Sequence, residues 1–383
     1  MNPRLTRQEL LRRGAAGGAL LAFPSILAAC GGGGGESSGE LNDVLNFSNW
    51  PYYIDTPQSL KDAGIDKPTT LKQFTEKTGI KVNYYEDINS NPEYFATVQG
   101  RLGQGDGIGR DIIVSTDNDR FLGDYLKNDW VQKLDKDLIP NISNLIDAQA
   151  SPPFDPDREY TLPYFSGMDG IAWNEDLTGP VTSVTQLLED PKLKGKVGVW
   201  NSMGDTLGLV MLENGDDPAK VTDESFDRAI AVVQKAKDAG QIRRFYGNDY
   251  AQPLSKGDLA ASMAWSGDIF LLARPNVKWG IPDKGGIIWT DNMLIPLDGS
   301  VPTASTFMNF VYDPTIAAQL ALGAGYISSV KGAKDEATKL NPEVAGNTLA
   351  FPTDEILSQM HQNDSTMFGN PEYTKKWLAV QGK

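Results

Sequence analysis

The chain has 383 residues, 22% charged and 40% hydrophobic, with a formal net charge of −15. That length suffices for two domains with sizeable cores, and so acidic a surface argues against nucleic acid, whose phosphates need Lys and Arg to displace counterions. One Cys and one His exclude a Cys/His zinc cluster and an intrachain disulfide; His361 has no G-x-S-x-G elbow to serve, so no catalytic residue, metal ligand or cofactor is assigned.

Residues 1–29 read as a lipoprotein signal peptide outside the fold. Arg4, Arg7, Arg12 and Arg13 make a basic start, and the apolar run from Gly14 to Ile26 is too short to span a membrane. Leu27-Ala28-Ala29-Cys30 resembles a bacterial lipobox, which makes Cys30 the expected site of lipidation and the first mature residue. Residues 30–40 carry Gly31 to Gly35. No Lys-Ser/Thr follows to make a phosphate loop, so the stretch is expected to be a flexible tether.

The globular part begins at Leu41. Val44–Ser48 predicts a strand, Thr70–Gly79 a helix with a Thr cap and a Gly stop, and Lys81–Tyr85 a second strand; this order predicts a βαβ unit with parallel strands. A helix over Tyr94–Gly103 precedes the buried strand Asp111–Val114, which delivers Ser115, Thr116 and Asp117 to its C-terminal end, where open α/β sheets hold ligands. Tyr160–Tyr164 starts a strand leading to Gly170–Asn174, where the chain is expected to cross to a second domain. There, strands at Val197–Asn201 and Leu259–Trp265 alternate with helices at Thr206–Glu213, Glu224–Ala239 and Phe270–Ala273. Further helices are predicted over Ile316–Gly323 and Pro371–Val380.

Within Ile287–Pro296 the strand period puts Trp289 and Asp291 on one face. A ring beside a carboxylate suits a small organic cation: the ring face attracts the charge and the carboxylate takes its N–H donors. Trp265 and Asp268 form a looser pair, and Trp50 stands near the start of the mature chain. Any one Trp is more often core packing; two Trp–Asp pairs that each end an apolar run point to a cleft.

The segments Leu45–Trp50, Asp111–Thr116, Tyr160–Tyr164, Met263–Asp268, Gly285–Asp291, Gly325-Tyr326 and Gln362–Asp364, in this order, resemble the spermidine/putrescine-binding proteins, periplasmic substrate-binding components of ABC importers. The resemblance implies a two-lobed α/β fold of the type II periplasmic-binding-protein kind. Each lobe is then a mixed sheet flanked by helices, and hinge strands join the two. The expected division is 41–167 plus 290–334 for lobe 1 and 168–289 plus 335–383 for lobe 2. Carried over by position, it implies a cleft lined by Trp50, Ser115, Asp205, Trp265, Trp289, Asp291, Tyr326 and Gln362. Asp268 matches a carboxylate of the putrescine-selective members.

Departures from the family pattern stand at Tyr52 and Ser202, in places where acids are common, and at Asp117, which replaces an aromatic residue. With Tyr53 as a further cleft ring, Tyr52 and Asp117 complete the candidate ligand residues. The implied partners are a polyamine and the importer's permease subunits, with membrane contact only through the lipid, no nucleic acid and a monomeric state. Ferric-ion binders share the fold and use tyrosine pairs, so Tyr52-Tyr53 and Tyr84-Tyr85 keep a metal-binding alternative open.

Overall fold

The computed structural model describes residues 40–118, 120–364 and 369–382. The expected signal peptide, Cys30 and all but the last tether residue lie outside the described residues. The chain opens with β1 (Val44–Asn49), α1 (Thr70–Thr78) and β2 (Lys81–Glu86), and the two strands pair in parallel with Phe47 opposite Tyr84. α1 stops at Gly79, whose φ of 78° is left-handed backbone that glycine adopts without Cβ strain. α2 (Asn91–Leu102) starts on a Ser90 side-chain cap and buries Tyr94, Phe95, Val98 and Leu102, the spacing of one apolar helix face. β3 (Ile113–Thr116) then lies beside β1 through the parallel bridge between Phe47 and Ile112. The βαβ order expected from the sequence is the order found.

After β4 (Val131–Gln132) comes β5 (Leu162–Asn174), thirteen residues buried almost throughout. The second lobe follows with β6 (Val197–Trp200), α3 (Met203–Asn214), α4 (Asp223–Asp238), β7 (Ile242–Tyr246), β8 (Ala261–Trp265), α5 (Ser266–Leu272) and β9 (Val277–Gly280). α4 opens on a Thr222–Ser225 capping box and buries Phe226, Ala229, Val233 and Ala236. Losing such a cap costs about 1 kcal/mol. The chain returns along β10 (Gly286–Pro296) to α6 (Val301–Val311), α7 (Pro314–Ala324), β11 (Ile327–Ser328) and α8 (Ala333–Leu340), then ends with β12 (Met360–His361) and α9 (Pro371–Gln381). No element is predicted from the sequence over α6 or α8, and both pack in the first core.

Two hydrophobic cores divide these elements. The first gathers Leu45, Phe47, Phe74, Ile112, Leu162, Phe165, Met293, Phe307 and Leu320; the second gathers Ile171, Val199, Trp200, Leu207, Phe226, Met263, Ile287 and Trp377. β5 and β10 run antiparallel side by side and thread both cores, with Ile287 opposite Asp169 and Thr290 opposite Ser166. These are the two hinge strands. Gln149 ties them where they cross: its Nε2 donates to Ser166 Oγ at 2.7 Å and to Thr290 Oγ1 at 3.0 Å. Arg158, 4% exposed, braces the same place by donating to the Gln149 carbonyl, Thr161 Oγ1 and Asn292 Oδ1.

One boundary read from the sequence is corrected. Residues 335–383 do not all return to lobe 2, because Ala337, Ala345, Ala350 and Phe351 sit in the first core. α8 packs on α7, so the chain stays with lobe 1 until β12 pairs with β10 at Gly286 and Ile287. α9 then delivers Tyr373, Trp377 and Val380 to the second core.

Candidate functional site

Between the two cores lies a narrow cavity, partly open to solvent and lined from both sides. Trp50, Tyr53, Thr116, Trp289, Asp291 and Tyr326 come from lobe 1 and the hinge; Asn201, Ser202, Asp205, Asn248 and Trp265 come from lobe 2. Ser90, Asn91 and Pro92, at the start of α2, complete the wall. Among the described residues, five aromatic rings and two carboxylates face this space, and no Lys, Arg or His lines it.

The rings pack on one another as rigid walls. Tyr53 meets Tyr326 edge-on at 4.6 Å between centroids, Trp289 lies 5.9 Å from Tyr326, and Trp265 stacks on Trp200 at 5.0 Å. Trp289 holds its place because residue 167 on β5 is glycine: a Cβ there would come within 2.3 Å of the indole. Its Nε1 donates to Asp169 Oδ1 at 2.7 Å.

Asp291 is set by an irregularity in the ladder. β10 shifts register against β5 between Thr290 and Asn292, while Asp291 stays opposite Thr116 of β3. A bulge of this kind re-aims one side chain. Asp291 Oδ1 accepts the Thr116 hydroxyl at 2.6 Å. The Tyr53 hydroxyl adjoins the same carboxyl, although it falls short of ordinary hydrogen-bond geometry. The carboxyl is 2% exposed, and burial pushes its pKa up to about 7.

Asp205 stands in the first turn of α3, which Ser202 caps through the Asp205 amide at 3.5 Å. The helix N-terminus favours its ionised form, Asn118 Nδ2 donates to it, and burial acts the other way and raises its pKa. The negative groups of the cleft are thus held at a desolvation cost that a bound cation would offset.

Seven of the twelve candidate residues meet in this cavity: Trp50, Tyr53, Asp205, Trp265, Trp289, Asp291 and Tyr326. The other five do not line it. Tyr52 is 64% exposed and faces a neighbouring surface groove with Arg243 and Arg244. Ser115 is buried, with its hydroxyl toward Asn91; the strand period turns the next residue, Thr116, to the cleft instead. Asp117 extends the hinge ladder, taking the Thr290 amide at 2.8 Å on Oδ1 and donating its own amide to the Thr290 carbonyl. Asp268 accepts the Tyr326 hydroxyl at 2.7 Å and so acts behind a cleft ring; burial raises both Asp117 and Asp268 to about 6. Gln362 is exposed. The tyrosine pairs are divided as well, since Tyr84 packs edge-on against Phe47 while Tyr53 faces the cleft.

A family model for bacterial extracellular solute-binding proteins matches residues 69–349. The chain belongs to this family. It is 28% identical over 331 residues to the spermidine/putrescine-binding periplasmic protein of Escherichia coli strain K12, spanning 84% of this chain and 87% of that one. With the putrescine-binding periplasmic protein SpuD of Pseudomonas aeruginosa it shares 26% identity over 364 residues, 89% of this chain and 92% of the other. In fold it matches a putative spermidine/putrescine ABC transporter structure from Listeria monocytogenes, with a TM-score of 0.74 at 23% identity over 89% of this chain and 99% of that one. The Tp0655 lipoprotein of Treponema pallidum gives a TM-score of 0.72 at 20% identity, over 89% of this chain and all of the other. The two-lobed solute-binding architecture is therefore the fold of this chain. Among the described residues no helix is long and apolar enough to cross a membrane.

Proposed function

We propose that this solute-binding protein captures a small polyamine, spermidine or putrescine, in the interlobe cleft and passes it to the permease subunits of an ABC importer. It performs no chemistry on the ligand. The observation that carries the reading is the lining itself: Asp205 from one lobe and Asp291 from the hinge, set among five rings with no basic side chain among the described residues. Each charge-assisted hydrogen bond to an ammonium contributes about 1.5–3 kcal/mol, and a partly desolvated cation–π contact roughly 1–2. A few such contacts support micromolar affinity or better after association costs. The rings also cover methylene groups, and the relatives named above for polyamines span nearly the same length of chain. Closing the lobes on the ligand would bend β5 and β10, the strands that thread both cores. Anchoring by a lipid at Cys30, at the end of a short tether, would keep a monomeric protein near its importer.

The ferric-ion alternative is disfavoured because Tyr53 would have to ionise, and burial together with Asp291 holds its hydroxyl well above the usual range. A thermal-shift panel of putrescine, spermidine, spermine, amino acids, sugars and ferric citrate tests the reading. A ligand at about a thousand times its dissociation constant stabilises by roughly 4 kcal/mol, so the amines should raise the melting temperature. A rise with sugars, anions or iron alone would reject the polyamine assignment.

A further inference from the structure

Asp169 is an acid in the middle of the buried hinge strand β5, opposite Trp265 on one side and Ile287 on the other. It is wholly buried and does not line the cavity. Its Oδ1 accepts the Trp289 indole N–H, while Oδ2 has no donor partner. Beside it lies the carboxyl of Asp205, with the Trp265 indole adjoining both. Two ionised carboxylates in contact out of water repel and are each desolvated, so one of the pair keeps a proton. Which one keeps it follows from their surroundings. Asp205 has the α3 N-terminus, Ser202, Asn118 and the cleft itself to stabilise its charge, whereas Asp169 has the Trp289 indole N–H and only a share of the Trp265 indole.

We propose that Asp169 is a positioning residue that works as a neutral acid. Its protonated Oδ2 donates to Asp205 and holds that carboxylate ionised and aimed into the cleft, while Oδ1 fixes the Trp289 ring. One buried side chain thereby aligns an acid and an aromatic wall of the ligand site from opposite ends of its carboxyl group. The other titratable groups acting on this corner are consistent with a proton there: Asp205 raises the pKa of Asp169, with burial the larger cause, and Tyr250 on the lobe 2 side and Asp291 on the hinge side bring no positive charge.

The inference rests on the polyamine reading for its ligand but not for its proton. Asp169→Asn keeps an acceptor for Trp289 and an N–H donor for Asp205; Asp169→Leu keeps the approximate volume and neither bond. Calorimetric titration with putrescine and with spermidine at pH 8 should give Asp169→Asn a dissociation constant within about threefold of wild type. The Leu variant should bind about 10- to 100-fold more weakly, the loss expected for one or two buried hydrogen bonds. Equal losses in the two variants would show that the charge of Asp169 matters, and an unchanged Leu variant would show that it positions nothing; either overturns the proposal.

Infrared difference spectra supply a readout that does not need the Leu variant to fold or any amine to bind. Wild type minus Asp169→Asn at pH 8 should contain the C=O band of a protonated carboxyl, and that band should persist after putrescine is added. Its absence overturns the proposal. Failure of wild type to bind either amine would instead count against the polyamine reading alone, with the infrared band still deciding the state of Asp169.

Discussion

Replacing Asp291 by Asn separates a ligand contact from a structural prop, because the two roles move stability and affinity in opposite directions. The amide keeps an acceptor for the Thr116 hydroxyl, now bonded at 2.6 Å, and removes only the charge. In the empty protein burial raises this carboxyl from 3.8 to about 7. A folded-state pKa above the unfolded value means that the folded chain holds the extra proton between these limits. Stability therefore falls as pH rises from about 4 to about 7, and the ionised group costs roughly 4 kcal/mol above that window. Asp291→Asn should relieve this cost and raise the melting temperature of the empty protein at pH 8. The same change removes the partner of a ligand ammonium in a site shielded from water, a loss of about 2–4 kcal/mol or roughly 30- to 1000-fold in affinity. Scanning calorimetry and titration calorimetry on one preparation measure both. A lower melting temperature with an unchanged dissociation constant would remove Asp291 from the ligand contacts and leave it as a buried support for β3.

Two further outcomes follow from the same geometry and a third from the sequence. Amine affinity should weaken as pH drops from 8 to 5, by up to about tenfold per unit below the Asp291 pKa, since binding must first remove its proton; titration calorimetry across that range checks it, and a flat profile would contradict the carboxylate contact. Gly167→Ala places a methyl group where only 2.3 Å separates it from the Trp289 ring, so the indole must shift; stability should fall by about 1–3 kcal/mol and amine binding should weaken, with tryptophan fluorescence reporting the movement. Cys30→Ser should move the protein from the membrane fraction to the soluble one, since a lipidated cysteine with two or more chains gives stable anchoring; identical fractionation of the two forms would reject the lipobox reading.

Much of this site was legible because aromatic and acidic residues at the ends of apolar runs are costly unless they face something. Trp289 and Asp291 were found that way, and both reach the cavity. The mechanism differs from a plain strand period, however, since a register shift sets Asp291 and no local pattern in Thr290-Asp291-Asn292 announces it. Ser115, implied by the resemblance, stands one residue from Thr116, which lines the cavity, and one residue in a strand means the opposite face. Asp169 is the residue for which the sequence held an unused signal: a lone acid inside a thirteen-residue strand buried almost throughout needs a partner. Asn118, Asn201 and Asn248 carried no such signal, because amides in loops are ordinary turn residues. α6 and α8 have no clear sequence signal because Val301–Val311 mixes Thr, Ser and Asn with apolar residues yet exposes none of them, and α8 is short; their helical state depends on packing against the first core.

The proposed polyamine capture requires positive charge to be read at two ends of the cleft, by Asp205 in one lobe and Asp291 at the hinge. Calorimetric titration of wild-type protein at pH 8 with putrescine and with its monoacetylated form tests it directly, because acetylation removes one charge and leaves the carbon chain in place. The monoacetylated amine should bind at least about 30-fold more weakly, the equivalent of one lost charge-assisted contact of about 2 kcal/mol. Equal affinities for the two compounds would contradict it.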